Sequence, residues 1–190
     1  MNRLTGRYEM AKKNPTQTKE NLLLAATKLI VHHGAAHLTL DAVASESGVS
    51  KGGLLHHFPT KDTLLRELLI FHTALFDARL ARELATEPKR KRGRWALAYI
   101  RASLNPDPGE MEIGWALASI VTADPELMEL ANEGFRSWER QSLNDGLAPA
   151  RATVVRLACD GYWLGELSRT PTMDEGSKLA LIEELMEWTR

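Results

Sequence analysis

Residues 38–65, LTLDAVASESGVSKGGLLHHFPTKDTLL, read as two short helices joined by a tight turn. Thr39 is a good N-cap, and Asp41 suits the first turn of a helix over residues 40–47. Gly48 ends that helix, because the turn needs a residue that tolerates positive φ. Ser50 caps a second helix over residues 51–58, and Pro59 stops it. Ala44 is small enough for the second helix to pack across the first. Val43, Val49 and Leu54 close the apolar core between them. This is the pattern of a helix-turn-helix, although an ordinary helical hairpin shares its apolar positions.

The surface of the second helix separates the two. It opens Ser50-Lys51-Gly52-Gly53. Two glycines in a first turn cost about 1 kcal/mol each against alanine. They are tolerable where the backbone must come close to a phosphate or a base edge. Lys51 and Lys61 bracket the helix with positive charge, as phosphate neutralisation requires. His56 and His57 add polar groups on a helix with little apolar surface beyond Leu54, Leu55 and Phe58.

Outward from this stretch the chain reads as helix throughout. Leu22, Ala26, Leu29 and Ile30 form one stripe of a helix over residues 18–33, which Gly34 stops. Thr60 caps a long helix to about residue 85, with Leu64, Leu68, Phe71, Leu75 and Leu80 on its inner side. A charged connector follows at residues 87–94. Further helices span about 93–104, begin at about 108, and span about 125–143, 150–168 and 173–189. Asp107-Pro108, Asp124-Pro125 and Thr172 with Glu175 supply their start signals. The expectation is an all-α, nine-helix protein in two parts. A flexible arm (1–15) precedes a DNA-binding domain (16–62) and a helical regulatory and dimerisation domain (63–190).

Composition agrees. Of 190 residues, 44% are hydrophobic but only 6% aromatic, and Leu, Ala, Glu and Arg dominate. The single cysteine, Cys159, excludes a disulfide framework and a Cys-rich zinc site, and reads as a small buried hydrophobe. There is no signal peptide and no apolar run near the roughly 20 residues that span a bilayer, so a cytoplasmic protein without a membrane partner is expected. Residues 1–62 carry a net charge of +3 and residues 63–190 a net charge of −4, as suits a small nucleic-acid module on a body that does not touch DNA. The six histidines lie at positions that do not chelate well, since adjacent residues on a helix point about 100° apart. No metal site is expected, and the absence of a phosphate loop, nucleophile elbow or Glu-x-x-His pair argues against an enzyme.

The 38–65 stretch, with the amphipathic helix before it, resembles the N-terminal domain of the TetR (tetracycline repressor) family. Thr39, Val43, Ala44, Gly48, Val49, Ser50, Gly52, Leu54, His57, Phe58, Lys61, Leu64 and Leu65 match the family pattern. The resemblance implies DNA contacts from Thr39, Ser50, Lys51, Gly52, His57 and Lys61. Gly53 and His56 join them from their place on the helix. It also implies a homodimer that sets two recognition helices in successive major grooves of a near-palindromic operator. One position departs from the pattern. The family usually carries Tyr after the recognition-helix Leu, where its hydroxyl reaches a phosphate. Leu55 stands there in this chain and cannot hydrogen-bond.

In the C-terminal part Trp95, Met111, Trp115, Met128, Phe135, Trp138, Tyr162 and Trp163 are candidate walls of a cavity for a small apolar or aromatic effector. Plain core packing would use the same residues. Nearby carboxylates favour a neutral or cationic compound. Val154, Ala158, Gly161 and Gly165 form a small-residue stripe along one helix, and Leu181, Leu185 and Trp188 lie along the last. The family's dimer pairs its last two helices with their mates, so these seven are the candidate seam. No cofactor is expected beyond the unidentified effector. Two readings stay open beside a ligand-released repressor. One is a regulator whose cavity is collapsed and which answers to a protein partner or to nothing. The other is a helical module with a decayed helix-turn-helix.

Overall fold

The computed structural model describes residues 15–87, 92–106, 110–167 and 173–190. Among them are nine α-helices and no strand. Helix α1 (Pro15–His33) starts three residues before the expected Thr18, with Pro15 in the first turn, where a missing N–H costs nothing. A 3-10 turn (Ala35–His37), absent from the sequence reading, leads from Gly34 into α2 (Leu40–Ser47). Helix α3 (Lys51–His57) follows, and then α4 (Lys61–Thr86). The Thr39, Ser50 and Thr60 hydroxyls each accept the backbone N–H three residues on, at 3.1, 3.2 and 3.1 Å. Gly48 adopts φ 66°, the left-handed conformation that closes α2.

These elements enclose the first core. Leu22, Ala26, Leu38, Val43, Leu54, Phe58, Leu64 and Leu68 are fully buried in it. Ala116 and Leu117 of α6 (Glu110–Val121) belong to the same cluster, so the front of the molecule is sealed by a helix from the back.

The second core is built around α5 (Arg94–Leu104). Nine of its residues are buried, which marks a helix surrounded on all sides. Leu80 of α4 packs there with Val155, Cys159 and Tyr162 of α8 (Pro149–Leu167) and Leu185 of α9 (Glu175–Trp188). Helix α7 (Pro125–Leu143) lies against it through Trp138. Asp124 caps α7 as expected, accepting from Glu126 and Leu127 N–H at 2.8 and 3.2 Å. Helix α9 is capped by Asp174, whose Oδ1 accepts the Ser177 N–H at 2.7 Å. The Thr172 and Asp107-Pro108 signals lie outside the described residues, as does the N-terminal arm up to residue 14. Leu75, expected on the inner side of α4, is 44% exposed.

The N-terminus of α5 is closed from 50 residues away. Asp145 accepts the Trp95 N–H on Oδ1 and the Ala96 N–H on Oδ2, both at 2.8 Å, and its carbonyl accepts the Gly93 N–H at 2.9 Å. Gly93 itself has φ 69°, and a Cβ there would stand 2.0 Å from the Thr189 carbonyl oxygen. Only glycine fits between α5 and the end of α9.

Helix α4 connects the two cores. Its start, Leu64 and Leu68, belongs to the first, and Leu80 belongs to the second. Two polar contacts fasten it to α1. Lys19 Nζ reaches Glu67 Oε2 at 2.7 Å, and Thr27 Oγ1 meets His72 Nε2 at 2.9 Å. Burial pulls the His72 pKa down to about 4, so its ring is neutral at ordinary pH.

Candidate nucleic-acid interface

Helix α3 buries Leu54, and Phe58 caps it from inside the first core; both have no exposed surface. The two residues are four apart and fix which face of α3 looks in. The outward face carries Lys51, Gly52, Leu55 and His56, all exposed. Thr39, Ser50 and Lys61 are exposed around it, and His57 and Gly53 are half-buried at its edge. The eight residues expected to contact DNA are thus gathered on and around one short helix. Thr39 and Ser50 accept through their oxygens as caps, which leaves each hydroxyl hydrogen free to donate to a phosphate.

The two glycines differ. A Cβ on Gly52 would meet nothing within 4 Å, whereas one on Gly53 would lie 3.0 Å from Val49 Cγ1 and 3.2 Å from Ser50 Oγ. Gly53 therefore has a packing reason within the chain, and Gly52 has none. Lys51 Nζ pairs with Asp41 Oδ1 at 2.8 Å, a contact the sequence reading missed. An acidic residue in α2 placed ten positions before a lysine was the available signal. Among the described residues no group of three or more His, Cys, Asp or Glu stands close enough to hold a metal ion, and no helix is long and apolar enough to cross a membrane.

Of the expected effector walls, Trp95, Trp138, Tyr162 and Trp163 belong to the second core, and Phe135 is 48% exposed. Trp95 stacks on Tyr99 at 4.7 Å, Trp138 packs on Phe76 at 4.8 Å, and Phe135 meets Trp138 edge-on at 5.4 Å. The indole N–H groups of Trp95, Trp138 and Trp163 donate to Gln141, Asp77 and the Ser103 carbonyl. Tyr162 is buried beneath Lys178, and Met111 and Met128 are half-buried on α6 and α7. The Trp115 side chain lies outside what is described. The rings of Trp95, Tyr99, Phe76 and Trp138 fill space against one another. A cleft of about 260 Å³ opens beside them, between α4 and α7, walled by Leu69, Ile70, Thr73, Ala74, Asp77, Leu130, Glu133 and Gly134.

Beside the rings lies a half-buried polar group that the sequence did not single out. The Tyr99 hydroxyl donates to Asp160 Oδ1 at 2.7 Å, and Arg156 donates to Oδ2 at 2.6 Å. Burial raises the Asp160 carboxyl above its usual range, against the pull of both partners. Burial also pushes the adjacent Cys159 thiol up to about 12, so this cysteine is an inert part of the core.

The candidate seam divides. Val154, Gly161 and Trp188 are exposed, while Ala158, Gly165 and Leu181 are half-buried. Leu185 is only 3% exposed within its own chain and belongs to the second core. Leu157, Leu164 and Leu179 on the same two helices are 54, 67 and 58% exposed. With Val154 and Trp188 they put a run of large apolar side chains on the outer surfaces of α8 and α9.

Known proteins share this architecture. The model for bacterial regulatory proteins of the tetR family matches residues 22–68, and that for the tetracyclin repressor-like C-terminal domain matches residues 93–190. The HTH-type transcriptional regulator BetI of Agrobacterium fabrum is 26% identical over 180 residues, covering 89% of this chain and 86% of that protein. A transcriptional regulator from Rhodococcus sp. Rha1 superposes with a TM-score of 0.72 at 20% identity, over 90% of this chain and 95% of its own. A Saccharomonospora viridis protein solved in complex with choline does so with a TM-score of 0.72 at 21% identity, over 90% and 96%. The helix-turn-helix, the helical body behind it and the two family matches together show that the chain belongs to the TetR family, whose members are dimeric DNA-binding transcription regulators rather than enzymes.

Proposed function

We propose that the protein is a cytoplasmic repressor whose dimer holds two copies of α3 in successive major grooves of a near-palindromic operator. The observation that carries this reading is the outward face of α3. It presents Lys51, Gly52, Leu55 and His56, and none of them serves the chain's own core. The exposed leucines of α8 and α9 supply the two-fold seam, because an apolar surface of that kind is normally covered. Enrichment of binding sites from random DNA duplexes, followed by footprinting, tests the reading. Two inverted half-sites with centres about one helical turn (~34–36 Å) or a multiple of it apart are expected. Failure to enrich any sequence would overturn it.

A small neutral or cationic molecule bound in the regulatory domain releases the DNA. Helix α4 is suited to transmit the signal, since it is shared by both cores. A ligand acts only through its different affinity for the two arrangements. Asp77 and Glu133 on the rim of the α4–α7 cleft favour positive charge, and the choline held by the Saccharomonospora viridis neighbour is of that class. A second reading has its own support. The mutual packing of Trp95, Tyr99, Phe76 and Trp138 suits a regulator with a filled core that answers to a protein partner or to nothing. Thermal shift with a panel of cationic, neutral and anionic compounds separates the two. Stabilisation by cations that also release DNA supports the first. Silence across the panel supports the second.

A further inference from the structure

Leu55 is the one large apolar side chain on the outward face of α3. It is 37% exposed, although Leu54 beside it is fully buried. At 100° per residue the outward positions run in the order Lys51, Leu55, Gly52, His56 around the helix. Leu55 therefore stands near the middle of the face, between a cation and an open glycine. Lys51 is drawn toward Asp41 at 2.8 Å, and the space above Gly52 is empty of protein to 4 Å. Leu55 has neither a donor nor an acceptor, so it makes no hydrogen bond to a phosphate or a base edge. In the major groove the apolar feature on a base edge is the C5-methyl group of thymine.

We propose that Leu55 reads the methyl group of one thymine in each operator half-site, and that Gly52 gives the clearance that lets α3 approach closely enough for the contact. The assignment rests on the DNA-binding reading above and adds a base to it. Lys51 and His56 flank the contact with groups that bond to phosphate or to base acceptors. Leu55 supplies discrimination that neither of them gives, because a methyl group is all that separates thymine from uracil.

The test uses the full-length protein and the enriched operator. Each thymine is replaced in turn by deoxyuridine, symmetrically in both half-sites, and binding is followed by fluorescence anisotropy. Removing one buried methyl group corresponds to about fourfold in affinity, hence about fifteenfold for the two half-sites. One thymine position should show a loss of that order with the wild-type protein. Leu55→Ala should bind the thymine and uracil operators equally, whereas Leu55→Met should keep the difference. Circular dichroism melting confirms that both variants are folded. A wild-type protein that binds its operator with no uracil-sensitive position overturns the assignment, as does undiminished sensitivity in Leu55→Ala. Failure of the wild type to bind any duplex overturns the DNA-binding reading itself and is thereby distinguished.

Discussion

Lys51 at the head of α3 is paired with Asp41 of α2, Nζ to Oδ1 at 2.8 Å, with both side chains largely exposed. A lysine held this way shares its charge between Asp41 and any phosphate it meets. Asp41 also places a negative charge beside the surface that DNA must approach. Asp41→Asn keeps the shape and removes the charge. It should tighten operator binding about two- to fivefold at low salt, since exposed pairs of this kind are worth roughly 0.2–1 kcal/mol. The gain should fade as salt is raised. Anisotropy titrations at several salt concentrations check this, and equal or weaker binding at low salt would contradict it.

Asp145 closes the first turn of α5 with both carboxylate oxygens and is 8% exposed. Hydrogen bonds to a charged group contribute roughly 1.5–3 kcal/mol each, and the helix N-terminus adds to them. Asp145→Ala should destabilise the protein by about 3 kcal/mol, lowering the melting temperature by about 6–12 °C. Asp145→Asn, which keeps one acceptor, should fall between. A melting temperature within a degree of wild type for the alanine variant would show that the turn has other support.

His72 links pH to stability at the junction of α1 and α4. Burial lowers its folded pKa from 6.5 to about 4. Between those values the unfolded chain binds a proton that the folded chain refuses, so stability falls as pH drops from about 6.5 to about 4, and the loss is complete below that. Its size is about 3 kcal/mol at 1.36 kcal/mol per pKa unit. His72→Gln retains a partner for Thr27 and should flatten the stability profile across this window. Urea melts at intervals from pH 7 to pH 4 supply the comparison, and a profile as steep as wild type would assign the acid sensitivity elsewhere.

Leu164 and Leu185 distinguish the outer face of the last two helices from the inner one. Leu164 is 67% exposed and Leu185 is 3% exposed. Leu164→Glu should give folded monomers, because it sets a charge against its own symmetry mate or a neighbouring apolar group in the seam. Leu185→Glu should instead abolish folding, since it buries an unpaired charge in the second core. Sedimentation equilibrium with circular dichroism reads both. A Leu164→Glu dimer of unchanged affinity would move the seam off this face.

What the sequence made legible follows the range of the interactions involved. The helix-turn-helix was readable because its determinants are local. Thr39, Ser50 and Thr60 cap within three residues, and Gly48 turns the chain where it stands. Asp145 was not readable as the cap of α5, since 50 residues separate donor from acceptor. The exposed face of α8 was half readable. Helix α8 is apolar on two sides, with Val155, Cys159 and Tyr162 inward and Val154, Leu157 and Leu164 outward. Periodicity alone does not say which side meets the chain's own core. The packing of the aromatic residues was the least readable. A count of aromatic residues is the same whether the rings surround a void or, like Trp95 and Tyr99, pack on each other.

The central claim is that α3 holds operator DNA through its outward face, and the salt dependence of binding by wild type and Lys51→Ala tests it most directly. Each lysine that neutralises a phosphate contributes about 0.9 to the slope of log K against log salt. With one Lys51 on each recognition helix of the dimer, the account predicts a steep negative slope for wild type and a slope shallower by nearly two for Lys51→Ala, with weaker binding at low salt. Identical slopes and affinities for the two proteins would remove Lys51, and with it this face of α3, from the DNA interface.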